Sequence, residues 1–344
     1  MSTVSSAREL EPLRRLTARV GGDLRLTQAS TGNTSMKLDG VLWIKASGKW
    51  MADALDEDIL IPLNLAELKR DCLPRNLDPA VRYPGASVET AMHAVLPHPV
   101  VLHVHCVNTI AWAVRNDAPL ELERQLDGLR WHWLPYVASG LPLAREIAGA
   151  VAARPGTDLF VLGNHGLVLG GDDCKAVEDL LNEVERRLAI WPREAHPADY
   201  TALAELAHNS PWDLPDDDEI HALGTDAISQ SLLSEGLLYP CQAIFSSCRT
   251  SQFFRAIPCP LAGDQWQEQY HSRPFLIVEG RGVVVGRAMT PAESAMLSGL
   301  ARVVQRIRAV TRLRYLTEAE VAGSSNVIAT RYRELANQRR SAIS

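Results

Sequence analysis

Two histidines one residue apart, His103 and His105, interrupt the apolar run VVLHVHCV, and a third, His165, follows in GNHGLVLGG. In a strand, side chains at i and i+2 point to the same face. His103 and His105 are therefore expected to converge on one side of a buried strand. His165 stands before a glycine between two apolar runs, the pattern of a turn at a strand end. Three neutral imidazoles that leave one coordination position open are a way to hold a catalytic zinc or another divalent ion. One such histidine alone reads better as a satisfied core residue. Three of them, with Glu89 upstream, favour the metal.

Glu89 lies two residues after Ser87, which the pattern makes the N-cap of a helix running to about Leu96, with Pro97 and Pro99 ending it. A carboxylate in a first helical turn is stabilised by the dipole and by free backbone N–H groups. The connection HPVVL then leads straight into the histidine strand. A carboxylate beside a metal-bound substrate is a natural proton shuttle, although spacing alone also fits an ordinary helix-start glutamate. His93, one turn further on, is expected to support Glu89 by an i,i+4 contact. His98, His132, His196, His208, His221 and His271 read as surface residues.

Three turns carry small residues and hydroxyls suited to an anion: Thr31-Gly32-Asn33-Thr34-Ser35, Ala46-Ser47-Gly48-Lys49 and Gly85-Ala86-Ser87. Glycine and serine also dominate turns for conformational reasons, so each is weak alone. No P-loop or G-x-G-x-x-G fingerprint occurs, so a nucleotide cofactor is not indicated, and no G-x-S-x-G elbow is present.

The elements that must position these groups alternate between helices and short apolar strands. Helices are expected over Ser6 to Val20, Leu65 to Cys72, Asn108 to Val114, Leu143 to Ala152 and Cys174 to Trp191. Strands are expected at Ser35 to Leu38 and Val41 to Lys45, joined by the hairpin signal Asp39-Gly40. Further strands are expected at Ile59 to Leu63, Val100 to Val107, Trp133 to Val137, Asp158 to Leu162 and Leu167 to Leu169. The alternation argues an α/β fold with helices on both faces of a sheet. From Pro192 the chain becomes proline-rich and then acidic. This divides it into a metal-binding catalytic domain over 1–195, a connector over 196–219 and a C-terminal α+β extension over 220–344. In the extension, Cys241 to Phe245 and a hairpin within Phe275 to Val285 read as strands. Ala292 to Val310 reads as an amphipathic helix, with helical closure at Leu316 to Ala322 and Val327 to Ala336.

With 344 residues, 46% apolar and 22% charged, the chain has material for a substantial core. A net charge of −6 with mixed signs offers no basic stripe for nucleic acid and no polybasic membrane patch. The six cysteines form no C-x-x-C pair, and are expected to be reduced thiols in a cytoplasmic protein. The N-terminus lacks an apolar signal core, and no stretch is long and apolar enough to suggest a membrane span. Neither nucleic acid nor membrane is an expected partner. A small molecule is.

The ordered set GNTS, KASG, Ser-x-Glu, H-x-H and NHGL resembles the class II aldolase/adducin family, over roughly residues 10 to 192. That family includes zinc-dependent fuculose- and rhamnulose-phosphate aldolases, and VLWIKASG is also similar to the aldolase part of longer rhamnulose-phosphate aldolase/dehydrogenase proteins. The resemblance implies a three-layer α/β/α sandwich around a largely antiparallel sheet, here with a C-terminal α+β extension, in a homo-oligomer, commonly a tetramer. It implies His103, His105 and His165 as metal ligands and Glu89 as acid/base. Gly32, Asn33, Ser47, Gly48 and Ser87 would hold the phosphate of a sugar phosphate. The implied reaction is aldol cleavage of a carbon–carbon bond through a metal-stabilised enediolate.

The chain departs from the pattern in three places. Where many members have two serines before the glutamate, it has Ser87-Val88. The connection from Glu89 to His103 is shorter than in the fuculose-phosphate enzymes. The segment RNDAPLELERQLDGL carries no tyrosine to act as a second acid, and Tyr136 is given a structural role. A decarboxylase, epimerase or dehydratase using the same site, on a hydroxy-carbonyl acid, is the alternative enzyme reading. An adducin-like interaction protein without catalysis is the alternative of another class. Capping the site, forming an oligomer contact and selecting substrate are the roles open to the extension; the sequence does not choose.

Overall fold

The computed structural model describes residues 3–245, 251–258, 270, 273–324 and 327–337. Seven strands, β1 (Asn33–Leu38), β2 (Val41–Lys45), β3 (Leu60–Asn64), β4 (Val100–Val104), β5 (Trp131–Leu134), β6 (Leu159–Leu162) and β7 (Gly166–Gly171), form one sheet in the order β3-β2-β1-β4-β7-β6-β5. Only β5 and β6 pair in parallel; the other pairs are antiparallel. The β1–β2 turn is the expected hairpin, with Asp39 and Gly40 both at positive φ (49° and 78°), the backbone that matches the twist of the two strands.

Strand β4 runs through the centre of this sheet and is buried along its length. Its side chains alternate between two cores. Val100, Leu102 and Val104 pack with the helices Thr3–Gly21 and Cys174–Arg187 through Leu13, Val20, Val177 and Val184. Val101 faces the other way, with Phe160 and Val168, against Leu68, Met92 and Ile147 of the helices Leu65–Arg75, Thr90–Val95 and Leu141–Ala153. The result is helix, sheet, helix in three layers. Each fully buried leucine or phenylalanine stabilises this arrangement by about 1.5–3 kcal/mol.

The C-terminal part builds a second, antiparallel sheet of β8 (Trp212–Asp213), β9 (Phe275–Val278) and β10 (Gly282–Gly286), in the order β8-β10-β9. The expected hairpin at Glu279 to Gly282 joins β9 to β10. The stretch 196–219, read from its prolines as a connector, carries the helix Tyr200–Ala207 and strand β8. The helix Pro291–Val304 starts at a capping box, Thr290 with Glu293. It shares a core with Val107, Ile110 and Val114 from the end of the first sheet's histidine segment. Backbone bonds continue this seam, from Arg314 N to Val114 O (2.8 Å) and from Asn116 N to Arg312 O (3.0 Å). No helix among the described residues is long and apolar enough to cross a membrane.

Three local expectations are corrected. Cys241 to Phe245, expected as a strand, is the helix Pro240–Phe245. Proline suits a first helical turn, and Gln242 Oε1 accepts from Leu238 N at 2.5 Å and Tyr239 N at 3.2 Å, which satisfies backbone donors at the helix start. The helix after Ser87 begins later than its sequence suggests: Glu89 is the N-cap and Thr90 the first helical residue. Ser87 forms a preceding turn, its Oγ accepting from Glu89 N at 3.3 Å. His221 is buried rather than exposed, with Nδ1 accepting from Val283 N at 3.2 Å. His271, Cys248 and Cys259 lie outside the described residues.

Candidate metal centre

The pairing of β1, β4 and β7 assembles the site. Asn33 stands opposite His103 across β1 and β4, and Val168 stands opposite His103 across β4 and β7. His105 lies just past the end of β4, and His165 just before the start of β7. Antiparallel register therefore brings the two ends together; His103 and His105 lie two residues apart, and His165 stands in a turn just before Gly166, where the sequence placed it. Two glycines permit the approach. A Cβ on Gly166 would sit 2.4 Å from Val104 O, and one on Gly32, already at φ +68°, would sit 2.7 Å from His103 O.

Glu89, His103, His105 and His165 each offer one ligand atom, all within 4.8 Å of one another. Glu89 Oε1 lies 3.2 Å from His103 Nε2 and 3.4 Å from His165 Nε2. His103 Nε2 and His105 Nε2 are 3.1 Å apart. The three rings meet edge to face, with centroids 4.9, 4.9 and 5.0 Å apart. His103 Nδ1 donates to Leu167 O at 2.9 Å, which leaves Nε2 as the lone-pair atom turned toward the cluster.

Burial, then the neighbouring imidazoles, hold His105 well below its usual range, and burial also lowers His165, which favours the neutral rings a metal needs. On His103 burial also opposes charge, but the Glu89 carboxylate outweighs it and raises the ring, so an ion bound there would displace the proton that His103 shares with Glu89. Burial opposes charge on Glu89, but His103 and His165 hold its carboxyl well below the usual carboxylate range. One carboxylate and three imidazoles gathered at one point fit a divalent ion with nitrogen and oxygen preferences.

Support for Glu89 comes from a different direction than expected. Asn33 Nδ2 donates to Glu89 Oε2 at 2.8 Å. His93 does not bond Glu89 through its ring. Its Nε2 meets Asn33 Oδ1, and its Nδ1 meets Ser35 Oγ at 2.7 Å. His93 thus fixes the asparagine that fixes the carboxylate, and burial lowers it from its usual 6.5 to about 3.

The cluster opens into a cavity of about 490 Å³. Gly32, Asn33, Ser47 and Ser87 lie on its wall together with Glu89, His105 and His165. Ser47 N donates to Gly85 O at 2.8 Å, which ties two of the small-residue turns together. Gly48 turns away from this wall and lies against Leu335.

Among the wall residues that sequence patterns did not indicate, Lys45, Cys241 and Tyr332 carry polar groups close to the cluster or its turns. Lys45, at the end of β2, is the lone Lys or Arg on the wall among the described residues. It is 2% exposed, and Nζ donates to Ser30 O and Lys49 O, both at 2.7 Å. Burial brings it down to about 7. A lysine closing an apolar strand just before a Ser-Gly turn was the available signal. Cys241 and Tyr332 come from the C-terminal part and gave no local signal. Tyr332 stacks edge-on against Phe245 (5.6 Å between centroids), and burial pushes its phenol up. Tyr136 also reaches the wall, its ring 5.0 Å beneath the Arg314 guanidinium and its hydroxyl 3.5 Å from Ser324 Oγ.

The C-terminal wall is fastened at the histidine turn itself. Asn164 holds φ +52°, and its Nδ2 donates to Leu238 O at 2.8 Å and Arg314 O at 2.7 Å. Arg314 donates back to Asn164 Oδ1 at 3.2 Å and to Glu320 Oε1 at 2.6 Å.

The family described as Class II Aldolase and Adducin N-terminal domain matches residues 15–191. The curated protein "Uncharacterized oxidoreductase YuxG" of Bacillus subtilis (strain 168) is 30% identical over 179 residues, covering 44% of this chain and 25% of the relative. The chain thus spans about a quarter of the length of that relative. Among solved structures, the N-terminal class II aldolase domain of a conserved Thermoplasma acidophilum protein is 24% identical at a TM-score of 0.46, covering 52% of this chain and 91% of that one. The l-fuculose-1-phosphate aldolase of Thermus thermophilus is 21% identical at a TM-score of 0.39, with the same two shares. YgbL of Klebsiella pneumoniae, described as a candidate aldolase/epimerase/decarboxylase, is 21% identical at a TM-score of 0.36, covering 51% of this chain and 86% of that one. Through residues 15–191, this chain belongs to the class II aldolase and adducin family.

Proposed function

We propose that the protein is a metal-dependent carbon–carbon lyase, cleaving a sugar phosphate or a related hydroxy-carbonyl compound by retro-aldol chemistry. The single observation that carries this reading is the convergence of Glu89, His103, His105 and His165, three of which line a cavity. The three histidines and, before substrate arrives, the Glu89 carboxylate would hold the ion, with zinc the favoured identity for this donor set. A divalent ion there supplies Lewis acidity toward substrate oxygen atoms.

The chain's own residues do the rest. Glu89, kept ionised and aimed by Asn33, takes the proton that the substrate hydroxyl loses as the carbon–carbon bond breaks and returns it to the carbon that keeps the bonding pair. Lys45, with the hydroxyls of Ser47 and Ser87 and the backbone around Gly32, receives the anionic end of the substrate. The wall from the C-terminal part excludes water from the reacting carbon. In this division of labour, residues 1–195 carry the catalytic groups and residues 220–344 close the site.

A second reading keeps the site and changes the bond broken. Val88 lies on the cavity wall beside Ser87, where a second hydroxyl would serve a phosphate. One hydroxyl fewer suits a carboxylate, and so decarboxylation of a hydroxy or keto acid. Metal content per chain, measured by mass spectrometry on protein purified without chelator or histidine tag, is the first test. About one divalent ion per chain is the expected result, to be followed by a panel of sugar phosphates and hydroxy or keto acids. Protein that holds no metal, and takes up none when zinc is added, would overturn the enzyme reading and bring the interaction-protein reading forward.

A further inference from the structure

We propose that Cys241, from the C-terminal part of the chain, is a positioning residue for His105, holding its ring so that Nε2 faces the metal. This inference rests on the metal-centre reading above. An imidazole can offer the Nε2 lone pair only when its proton sits on Nδ1, and that N–H then needs an acceptor to fix the ring. His103 has a backbone acceptor for this purpose, Leu167 O at 2.9 Å. His105 lies past the end of β4, beyond the ladder that serves His103. The atom facing its Nδ1 is Cys241 Sγ, at 3.4 Å, within range of a sulfur-accepted hydrogen bond.

The sulfur is itself held in place. Cys241 is buried in the helix Pro240–Phe245, which packs against the helices Pro291–Val304 and Glu318–Ser324. Leu238, just before it, is tied to the histidine turn by Asn164. Cys241 touches His105 on the side away from His103, whose Nε2 lies 3.1 Å from His105 Nε2. Its place is therefore behind the ring, supporting a ligand rather than acting as one. The orientation of one ligand of the metal centre is thereby set by residues outside the 15–191 match.

The test compares the full-length protein with its Cys241→Ala and Cys241→Ser variants, with folding checked by circular dichroism. Zinc affinity is read by competition with a chromophoric chelator, and the visible spectrum is recorded after cobalt(II) substitution. Loss of the acceptor in Cys241→Ala is expected to weaken zinc binding about 10–100-fold and to shift the cobalt ligand-field bands. Serine keeps an acceptor oxygen, so Cys241→Ser is expected to remain within a few-fold of the parent. Unchanged affinity in Cys241→Ala, or equal losses in Ala and Ser, would overturn the positioning role alone. A sulfur-to-cobalt charge-transfer band in the parent would also overturn it, by making Cys241 a ligand. A parent that binds no zinc at all would overturn the metal centre itself, and this role with it.

Discussion

The two parts of the chain reach one cavity by opposite means. Residues 33–171 bring their chemistry on a continuous sheet, where register places Asn33 beside His103 and the β4 and β7 ends beside each other. Residues 240–337 bring short helices whose own contacts are mostly apolar, and contribute Cys241, Glu320 and Tyr332 to the opposite wall. A ladder of backbone bonds locks groups to within a fraction of an ångström, which ligands and acid/base groups need. Packed helix ends are held by side-chain contacts rather than by a backbone ladder, so their positions depend on the packing of distant segments. The comparison teaches that one cavity can be lined from one side by strand register and from the other by packed helices far along the chain.

The sharpest way to break that division is at the sheet. His105→Ala removes one of three imidazoles, and is expected to abolish metal retention and turnover together while the protein stays folded. Full metal occupancy in that variant would sink the site assignment. Glu89→Gln keeps the shape and the Asn33 neighbour but removes the base. Turnover is expected to fall about 10²–10⁴-fold, with the melting temperature preserved; a variant with normal turnover would remove Glu89 from the chemistry.

A smaller effect is expected at the junction. Asn164→Ala deletes the bonds to Leu238 O and Arg314 O, and is expected to cost about 1–3 kcal/mol in a denaturant titration. It should also raise KM more than it lowers kcat, because the wall loosens while the ligands remain. An equal fall in kcat with unchanged KM would show that the two parts are not separable in this way.

The last effect concerns pH, where the change is spread over several units. His93 is lowered by burial from its usual 6.5 to about 3 in the folded protein. As pH falls below 6.5 the unfolded chain binds a proton that the folded chain refuses, so stability is lost across the window from 6.5 to about 3. His93→Gln removes that contribution. Its melting temperature is expected to start lower, because the Asn33 and Ser35 bonds are disturbed, but to decline less steeply through the same window. A parallel decline would mean that other groups control acid unfolding.

Much of the sheet and its site was legible because the signals are local. Alternation in VVLHVHCV, the Asp39-Gly40 hairpin and the glycine after His165 each act over a few residues, where strand period and turn chemistry decide the outcome. The ordered motifs also supported the family resemblance, and the match over residues 15–191 bears it out. Legibility failed where a neighbour far along the chain decided. The helix after Ser87 starts at Thr90, and the Glu89 before it has its carboxylate in the histidine cluster, further along the chain at His103. Cys241 to Phe245 is a helix because it packs on the helices Pro291–Val304 and Glu318–Ser324. His221 is buried because β10 folds over it, and His93 turns to Asn33 because β1 passes beside its helix.

By itself the sequence determined the three histidines, the shared face of His103 and His105, the carboxylate upstream and an α/β arrangement with helices on both faces of the sheet that carries them. All of these follow from residue types and short-range periodicity. Only the tertiary structure decided that Asn33 and His93 aim Glu89, that Lys45 lies on the cavity wall, and that Cys241 and Tyr332 line it from the other part of the chain. Those contacts join residues tens to hundreds of positions apart, and they form only when separate strands and helices share a core, which no local pattern encodes.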